Sequence, residues 1–254
     1  MLIDTHSHIY SEDYSEDLDQ VIQRAFQSNV RKIILPNIDS SSLKSMLDLS
    51  TSYPQVCFPL IGLHPTSVNE DYQDELQLVD FWLTKRKFYG VGEIGIDLYW
   101  DKTFLSEQII VFRHQLKLAK KYNLPVVIHV RDSFDQTFEA LLPELDGKLT
   151  GVFHSFSGTT EQAKQIIDIG FKIGVNGIIT FKNSGLDAII KEIATEHLLI
   201  ETDSPYLTPV PFRGKRNESS YLIYVARKVA ELHNTTVDEI ARITTENAEK
   251  LFGI

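Results

Sequence analysis

Apolar residues along the chain fall into two alternating patterns, short continuous runs and longer stretches with helical spacing. Continuous runs of about four to eight apolar residues are typical of buried parallel strands, and apolar positions every three or four residues indicate amphipathic helices. The predicted strands comprise residues 2–8, 31–36, 56–63, 89–96, 125–129, 151–155, 171–175 and 198–202. The predicted helices comprise residues 16–28, 43–52, 73–87, 105–119, 134–142, 161–169, 186–194 and 221–232.

This alternation indicates an α/β protein with a closed barrel. Eight strands and eight helices over 254 residues have the length and order of a (β/α)8 TIM barrel. An open, doubly wound sheet is the alternative, but no Gly-rich dinucleotide loop follows the first strand. No linker rich in Pro, Gly or Ser interrupts the sequence, so we expect a single domain spanning residues 1–254.

Polar residues at helix starts predict two capping boxes, in which Ser or Thr and a residue three positions later exchange hydrogen bonds with the backbone. Ser133 with Gln136 and Thr236 with Glu239 have this spacing. The second pair precedes extra C-terminal helical sequence that we expect to end at Gly253. This extra segment is expected to cover the bottom or one flank of the barrel.

Composition and charge restrict the class of protein. The formal net charge of −10 argues against a charge-driven grip on a long nucleic acid, although metal ions and clustered cations can reverse the sign within one cleft. The single cysteine, Cys57, excludes an intramolecular disulfide and is predicted to be a small buried apolar residue. The sequence shows neither a leader pattern nor a membrane-length apolar run, so we expect a cytoplasmic protein without a membrane partner.

Histidines gather at the carboxyl ends of the predicted strands, where the active sites of such barrels lie. His6 and His8 are separated by one residue in an extended segment, so both side chains project from the same face. A metal ion would satisfy these imidazoles; the alternative is a pair of core histidines hydrogen-bonded to the backbone. The histidines at predicted strand ends are His6, His8, His64, His129 and His154. The remaining three, which are predicted to be surface residues, are His114, His197 and His233.

Carboxylates join these histidines by the same rule. Glu93 lies at the predicted end of the fourth strand among small residues, and Asp203 follows the eighth, with Glu201 two residues earlier on the same face. A lone acid there is as well explained as a helix cap or a buried ion-pair partner, but imidazoles and carboxylates together indicate a site for borderline dications. The number of ligands indicates two ions. Position and charge assign them to a first ion with His6, His8 and Asp203, a second with His129 and His154, and a bridge at Glu93.

Basic residues near the same strand ends indicate an anionic substrate. Arg131 follows His129 on the same strand face, and residues 212–218 form a Gly-containing basic loop after the eighth strand. A short basic loop by itself is usually only solvated. The loops after the last strands of such barrels commonly hold phosphate, however, and arginine matches phosphate oxygens with two parallel hydrogen bonds. The candidate phosphate-binding residues are Arg131, Arg213, Lys215 and Arg216.

An ordered set of motifs carries a family resemblance. They are DTHSH at residues 4–8, GLHP at 62–65, GEIG at 92–95, IH at 128–129, HSFSG at 154–158, ETDSPYL at 201–207 and RGKRNE at 213–218. The set resembles the TatD family of metal-dependent deoxyribonucleases, among the amidohydrolase-like barrels, from the first strand to the C-terminus. The resemblance implies two metal ions, one held by His6, His8, Glu93 and Asp203 and the other by Glu93, His129 and His154. Members are usually described as magnesium-dependent, whereas imidazole ligands favour zinc, manganese, cobalt or nickel.

Two positions depart from the family pattern. The family usually has Gly-Leu-Asp-Tyr after the bridging glutamate, where this chain has Gly95-Ile96-Asp97-Leu98, and its basic loop usually continues with proline where Ser219 stands. Both lie outside the implied ligands. They bear on loop shape and substrate choice.

The resulting hypothesis is hydrolysis of DNA phosphodiester bonds, most simply exonucleolytic, by a water molecule activated between two divalent ions, Mg, Mn or Zn. Asp203 would accept a proton from the water, Glu93 would bridge the ions, and His64 with Arg131 would stabilise phosphate oxygens. The alternative is an amide or ester hydrolase, including a deacylase acting on charged RNA, with the same centre. A third alternative is a non-catalytic binding barrel, in which the set of metal ligands would be disrupted. The set in this sequence is complete. A monomer acting on DNA or another phosphodiester is expected.

Overall fold

Eight parallel strands follow one another in chain order, each separated from the next by helical connections, in a computed structural model that describes residues 1–254. The strands are β1 (Leu2–Asp4), β2 (Val30–Leu35), β3 (Cys57–Pro59), β4 (Val91–Asp97), β5 (Val126–Arg131), β6 (Gly151–Phe153), β7 (Lys172–Val175) and β8 (Leu198–Ile200). The helices are α1 (Leu18–Gln27), α2 (Ser40–Ser52), α3 (Tyr72–Leu83), α4 (Leu105–Tyr122), α5 (Phe134–Leu141), α6 (Thr160–Asp168), α7 (Leu186–Lys191), α8 (Leu222–Leu232) and α9 (Val237–Phe252).

Backbone hydrogen bonds join the strands into a ring. β1, β2 and β3 form one parallel group, and β4 to β8 form a second in sequential order. A parallel bridge between Ile61 and Val91 connects β3 to β4. At the other seam, the amide of Thr5 donates to the carbonyl of Ile200 at 3.2 Å, next to β1 and β8. The predicted α/β barrel is confirmed.

Most predicted elements occur within a few residues of their expected bounds, but several strands end early. The predicted strands 151–155 and 198–202 stop at Phe153 and Ile200. Beyond these ends Ser155 and Asp203 have φ angles of 49° and 56°, in the left-handed region, which is incompatible with a continuing strand. Hydrophobic patterning does not reveal such a change of backbone direction. At these positions the chain leaves the strand and its side chains turn towards the mouth of the barrel.

The predicted capping boxes formed only in part. Ser133 makes no cap hydrogen bond, because its buried hydroxyl donates to the carbonyl of Ile96 in β4 instead, so this prediction was wrong. Thr236 Oγ1 accepts from the amide of Glu239 at 3.2 Å, as predicted. The Glu239 carboxylate does not complete the box but pairs with Arg242.

The C-terminal helix closes the bottom of the barrel. In α9, Asn247 Nδ2 donates to the carbonyls of Thr195 and Leu198 at 3.0 and 2.8 Å, at the start of β8. Phe252 packs into the small core cluster of the barrel, which includes Ile3 of β1. The helix ends at Gly253, whose φ of 64° is the left-handed conformation that glycine adopts readily. The opposite end of the barrel therefore remains available for a site.

Two further findings concern the predicted class of protein. Cys57 lies buried in β3, and burial raises the pKa of its thiol to about 12, as fits a small apolar residue. None of the helices combines the length and the apolar character needed to span a bilayer.

Candidate metal centre

One oxygen of the Glu93 carboxylate faces the histidines that follow β1. Glu93 Oε2 lies 3.0 Å from His6 Nε2 and 3.5 Å from His8 Nε2. The two Nε2 atoms are 3.1 Å apart, as expected for side chains on one face of an extended segment. Asp203 Oδ1 lies 3.7 and 3.9 Å from the same two nitrogens. Donor atoms of His6, His8 and Asp203 thus lie close enough to bind one ion.

The other oxygen of this carboxylate faces a second group of histidines. Glu93 Oε1 lies 2.7 Å from His154 Nε2 and 2.8 Å from His129 Nδ1. It also lies 3.2 Å from His64 Nε2, so His64 joins His129 and Glu93 in a compact group of donors. The structure therefore brings all five histidines predicted at strand ends to one carboxylate. The two sets of nitrogens face different oxygens of Glu93, which is the placement that a bridging carboxylate requires.

Glycines in β4 allow the close approach of β4 to β5 that places Glu93 beside His129. Glu93 lies inside β4 rather than at its end, where the sequence analysis placed it. A Cβ atom on Gly95 would lie only 2.0 Å from the carbonyl oxygen of His129, and one on Gly92 would lie 2.8 Å from Val127 Cβ. Larger residues at these positions would push the two strands apart.

Asp97, at the true end of β4, is a site residue that the sequence analysis missed. Its Oδ2 atom lies 2.9 Å from His129 Nε2, opposite the Nδ1 atom that faces Glu93. Such a carboxylate fixes the orientation of an imidazole ring and its tautomer. The signal was present in the sequence, because Asp97 follows Glu93 by four residues and so lies on the same face of a strand.

A second carboxylate stands behind His154. Glu201 is fully buried, and its Oε1 atom accepts from the amide of Ser155 and lies 3.7 Å from His154 Nδ1. Its Oε2 atom has no hydrogen-bond partner and occupies space that a Cβ on Gly174 would fill. Glu201 therefore supports His154 through its charge and not through a hydrogen bond, whereas Asp203 faces the histidines that follow β1.

The pKa values of four histidines at the site are shifted, two upwards and two downwards. Burial would raise the pKa of Glu93, but the surrounding histidines, His154 first, hold it well below its usual range. Burial would lower the pKa of His154, but the carboxylates of Glu93 and Glu201 raise it well above its usual range. The pKa of His129 is raised, against the effect of burial, by its hydrogen bonds to Asp97 and Glu93. The pKa values of His6 and His64, in contrast, are lowered by burial.

The pKa of Asp203 is raised to about 7 by burial, although His154 and His8 act in the opposite direction. Its side chain remains 14% exposed, so it is accessible from the cavity above the site. A carboxylate with this pKa is well matched to accepting a proton near neutral pH.

The residues present fit a divalent metal centre. Imidazole nitrogens and carboxylate oxygens form three groups of donors, each within 4.8 Å. Borderline dications bind such donors. In addition, His6 Nδ1 and His154 Nδ1 are buried without a hydrogen-bond partner, so these rings lack the satisfied environment of ordinary core histidines.

The predicted phosphate-binding residues occupy different surroundings. Arg131 lines the cavity of about 600 Å³ above the site. The basic loop does not contribute to that lining: Arg213 and Lys215 are exposed, and Arg213 lies over the ring of Phe181. Arg216 pairs with Asp17 at 2.8 Å, so its expected place at the mouth is not what the structure shows. The carboxylate of Asp17, just before α1, attracts Arg216. Asp17 is far from Arg216 in the sequence, so the sequence of the loop did not predict this pair.

Other polar residues of the basic loop are structural. Asn217 Nδ2 donates to the carbonyls of Thr202 and Tyr206, and Glu218 pairs with Arg24. These contacts hold the loop against β8 and α1. The three histidines predicted to be surface residues lie outside the cavity, and His114 pairs with Asp80 at 3.1 Å.

Comparisons with known proteins indicate one family. A family model described as "TatD related DNase" matches residues 3–253. The chain is 40% identical to the uncharacterized metal-dependent hydrolase YabD of Bacillus subtilis, over the whole of both chains. The crystal structure of YjjV, a TatD homologue of Escherichia coli K12, has a TM-score of 0.94 at 34% identity, covering 100% of this chain and 98% of that one. A TatD family hydrolase of Entamoeba histolytica has a TM-score of 0.85 at 26% identity, covering 99% and 97%.

Proposed function

Because this chain belongs to the TatD family of metal-dependent hydrolases, we propose that it hydrolyses phosphodiester bonds of DNA from a strand end at a centre of two divalent ions. The observation that carries the proposal is the position of Glu93 between two sets of histidine nitrogens, one facing each carboxylate oxygen. The relatives of this chain support hydrolysis in general, and the family description supports DNA as the substrate.

In this proposal His6, His8, Glu93 and Asp203 hold one ion, and Glu93, His129 and His154 hold the other. Such ions supply Lewis acidity, which lowers the pKa of water by several units and polarises phosphate oxygens.

His64 has a different role. Its Nδ1 atom accepts from the amide of Thr66 at 3.1 Å, so the ring proton resides on Nε2. An Nε2–H group is a donor rather than a metal ligand. In this structure Nε2 faces Glu93 Oε1 at 3.2 Å, and from the cavity that His64 lines it would stabilise a phosphate oxygen.

In this proposal, residues of the cavity accept the proton of the attacking water and stabilise the negative charge of the phosphate. Asp203 would accept the proton of the attacking water, because its partly exposed carboxylate lines the cavity beside the candidate ligands. Arg131 and His64 both line the cavity and donate to non-bridging phosphate oxygens, where charge accumulates. Exposed Arg213 and Lys215 would contact phosphates further along a strand. Arg216 is paired with Asp17, so we do not assign it to this role.

The test is turnover of single-stranded DNA labelled at the 3′ or 5′ end by enzyme loaded with Mg, Mn or Zn. We expect chelator-sensitive release of mononucleotides, loss of nearly all turnover in Asp203→Asn, and unchanged turnover in His114→Asn, which alters a histidine outside the cavity. Near-full activity of Asp203→Asn would contradict its role as proton acceptor. Endonucleolytic products would contradict cleavage from a strand end.

An amide or ester hydrolase is the second candidate, favoured by the charge of the cavity. Arg131 is the one Lys or Arg residue that lines it, alongside Glu93, Asp97 and Asp203. A small uncharged ester needs no further cation. A panel of p-nitrophenyl esters assayed beside DNA separates the two functions: ester turnover with DNA left intact would favour this candidate.

A further inference from the structure

Two adjacent aromatic residues are unusually exposed beside the candidate metal centre. Tyr99 and Trp100, in the connection from β4 to α4, are 53% and 71% exposed. Trp100 also lines the cavity that contains Glu93 and Asp203. An exposed apolar side chain contributes little to the stability of the fold. At the edge of a polar cavity, its position indicates a ligand-binding role.

These aromatic residues form an ordered surface with Arg131. The two rings are 4.9 Å apart and perpendicular. The guanidinium of Arg131 lies 3.8 Å from the centroid of the Tyr99 ring and 5.4 Å from that of Trp100, within the range of cation–π attraction. Arg131 is thereby held with its donors near the cavity, and the aromatic rings are held beside a candidate phosphate-binding group.

The loop that carries the rings is tied to the metal centre by one carboxylate. Asp97 Oδ1 accepts from the amide of Tyr99 at 3.0 Å, while Oδ2 lies 2.9 Å from His129 Nε2. The position of the aromatic rings relative to His129 is therefore set by one short connection through Asp97.

Resting on the proposed nuclease function, we propose that Trp100, with Tyr99 and Arg131, is a stacking subsite for an unpaired nucleobase next to the scissile phosphate. Every base has a flat π face, and stacking on an aromatic side chain binds bases with little sequence preference. A base within a duplex has both faces covered, so this subsite selects strand ends and single strands. Arg131 would hold the phosphate of the nucleotide whose base stacks on Trp100.

The first test compares two phosphodiesters with the same leaving group, thymidine 5′-(p-nitrophenyl phosphate) and methyl p-nitrophenyl phosphate. In metal-loaded Trp100→Ala we expect KM for the thymidine ester to rise about tenfold with kcat nearly unchanged. KM for the methyl ester should stay within about twofold, because it has no base to stack and the nearer ring of Tyr99, at 3.8 Å, still holds Arg131. Trp100→Phe should recover most of the affinity. Phe81→Ala, which removes an exposed aromatic ring outside the cavity, should change KM for neither ester. An equal rise for both esters, or none, would overturn the proposal.

The second test is independent of turnover. The chain has two tryptophans, so Trp82→Phe leaves Trp100 as the sole tryptophan reporter. Thymidine 5′-monophosphate should quench its fluorescence with saturation, whereas deoxyribose 5-phosphate should not; uridine 5′-monophosphate tests RNA as the source of the base. Quenching without phosphodiester turnover would retain the subsite and overturn the nuclease function. Equal effects of the phosphates with and without a base, or no quenching, would overturn the subsite.

Discussion

Asp97 shows how one carboxylate links two parts of the site. Its two oxygens contact His129 and the amide of Tyr99. A single side chain therefore orients a candidate metal ligand and anchors the connection that carries Tyr99 and Trp100. Such carboxylates behind ligand histidines typically contribute about 10–100-fold to metal affinity.

Replacement of Asp97 tests this contribution. Asp97→Asn keeps the size of the side chain but removes its charge, and we expect metal affinity to fall about 10–100-fold. Metal content after dialysis against graded concentrations of free zinc or manganese measures the change. The matched control is Asp80→Asn, which alters the Asp80–His114 pair on the surface and should leave metal content unchanged. Unaltered affinity in Asp97→Asn would mean that His129 needs no such partner.

At the scale of secondary-structure elements, the histidines from different strands differ in the direction in which their pKa values are shifted. His129 and His154, on and after β5 and β6, have raised pKa values, whereas the pKa of His6, after β1, is lowered. Metal ions compete with protons for imidazole nitrogens. Binding near His129 and His154 must therefore displace protons from two groups with raised pKa values, whereas at the position of His6 the group with a raised pKa is Asp203, at about 7.

This difference predicts an unequal pH dependence of the two proposed metal positions. As pH falls, His129 and His154 take up protons first, so affinity at their position should fall more steeply than affinity at the position of His6 and Asp203. Calorimetry in two buffers with different ionisation enthalpies measures the protons released. His154→Ala and His8→Ala each isolate one position. Equal proton release in both variants would contradict the assignment.

The packing of β4 on β5 makes a further prediction. Gly95→Ala would place Cβ 2.0 Å from the carbonyl oxygen of His129, and the strands must separate to relieve the contact. Gly147→Ala is the matched control, because Gly147 also has positive φ but nothing within 4 Å of an added Cβ. We expect Gly95→Ala to be less stable than Gly147→Ala by about 1–3 kcal/mol in urea unfolding. Equal stabilities would show that β4 accommodates the methyl group.

At the scale of the whole molecule, the two ends of the barrel have separate tasks. The helix α9 contacts the starts of β1 and β8, whereas Glu93 and the five histidines gather at the other end. Substitutions at the closed end should therefore alter stability without altering chemistry.

Phe252 tests this separation. It is buried in the core cluster under the barrel, so Phe252→Ala should lower the free energy of unfolding by about 3–5 kcal/mol. The kcat of the folded fraction should be unchanged, because Phe252 lies outside the cavity. Urea unfolding and assays below the unfolding transition measure the two quantities. Leu142→Ala, at an exposed position, should change neither. A fall in kcat with retained stability would contradict the separation.

The sequence by itself determined the succession of strands and helices and the identity of the residues that meet around Glu93. Strands and helices have different periodicities, and parallel strands in a barrel bring their carboxyl ends to one face, so local patterns were sufficient. Only the tertiary structure decided that Asp97 holds His129, that Glu201 supports His154, and that Arg216 turns away to Asp17. Each of these pairings joins residues far apart in the chain. A side chain's hydrogen-bond partner depends on distances between packed elements, which hydrophobic periodicity does not encode.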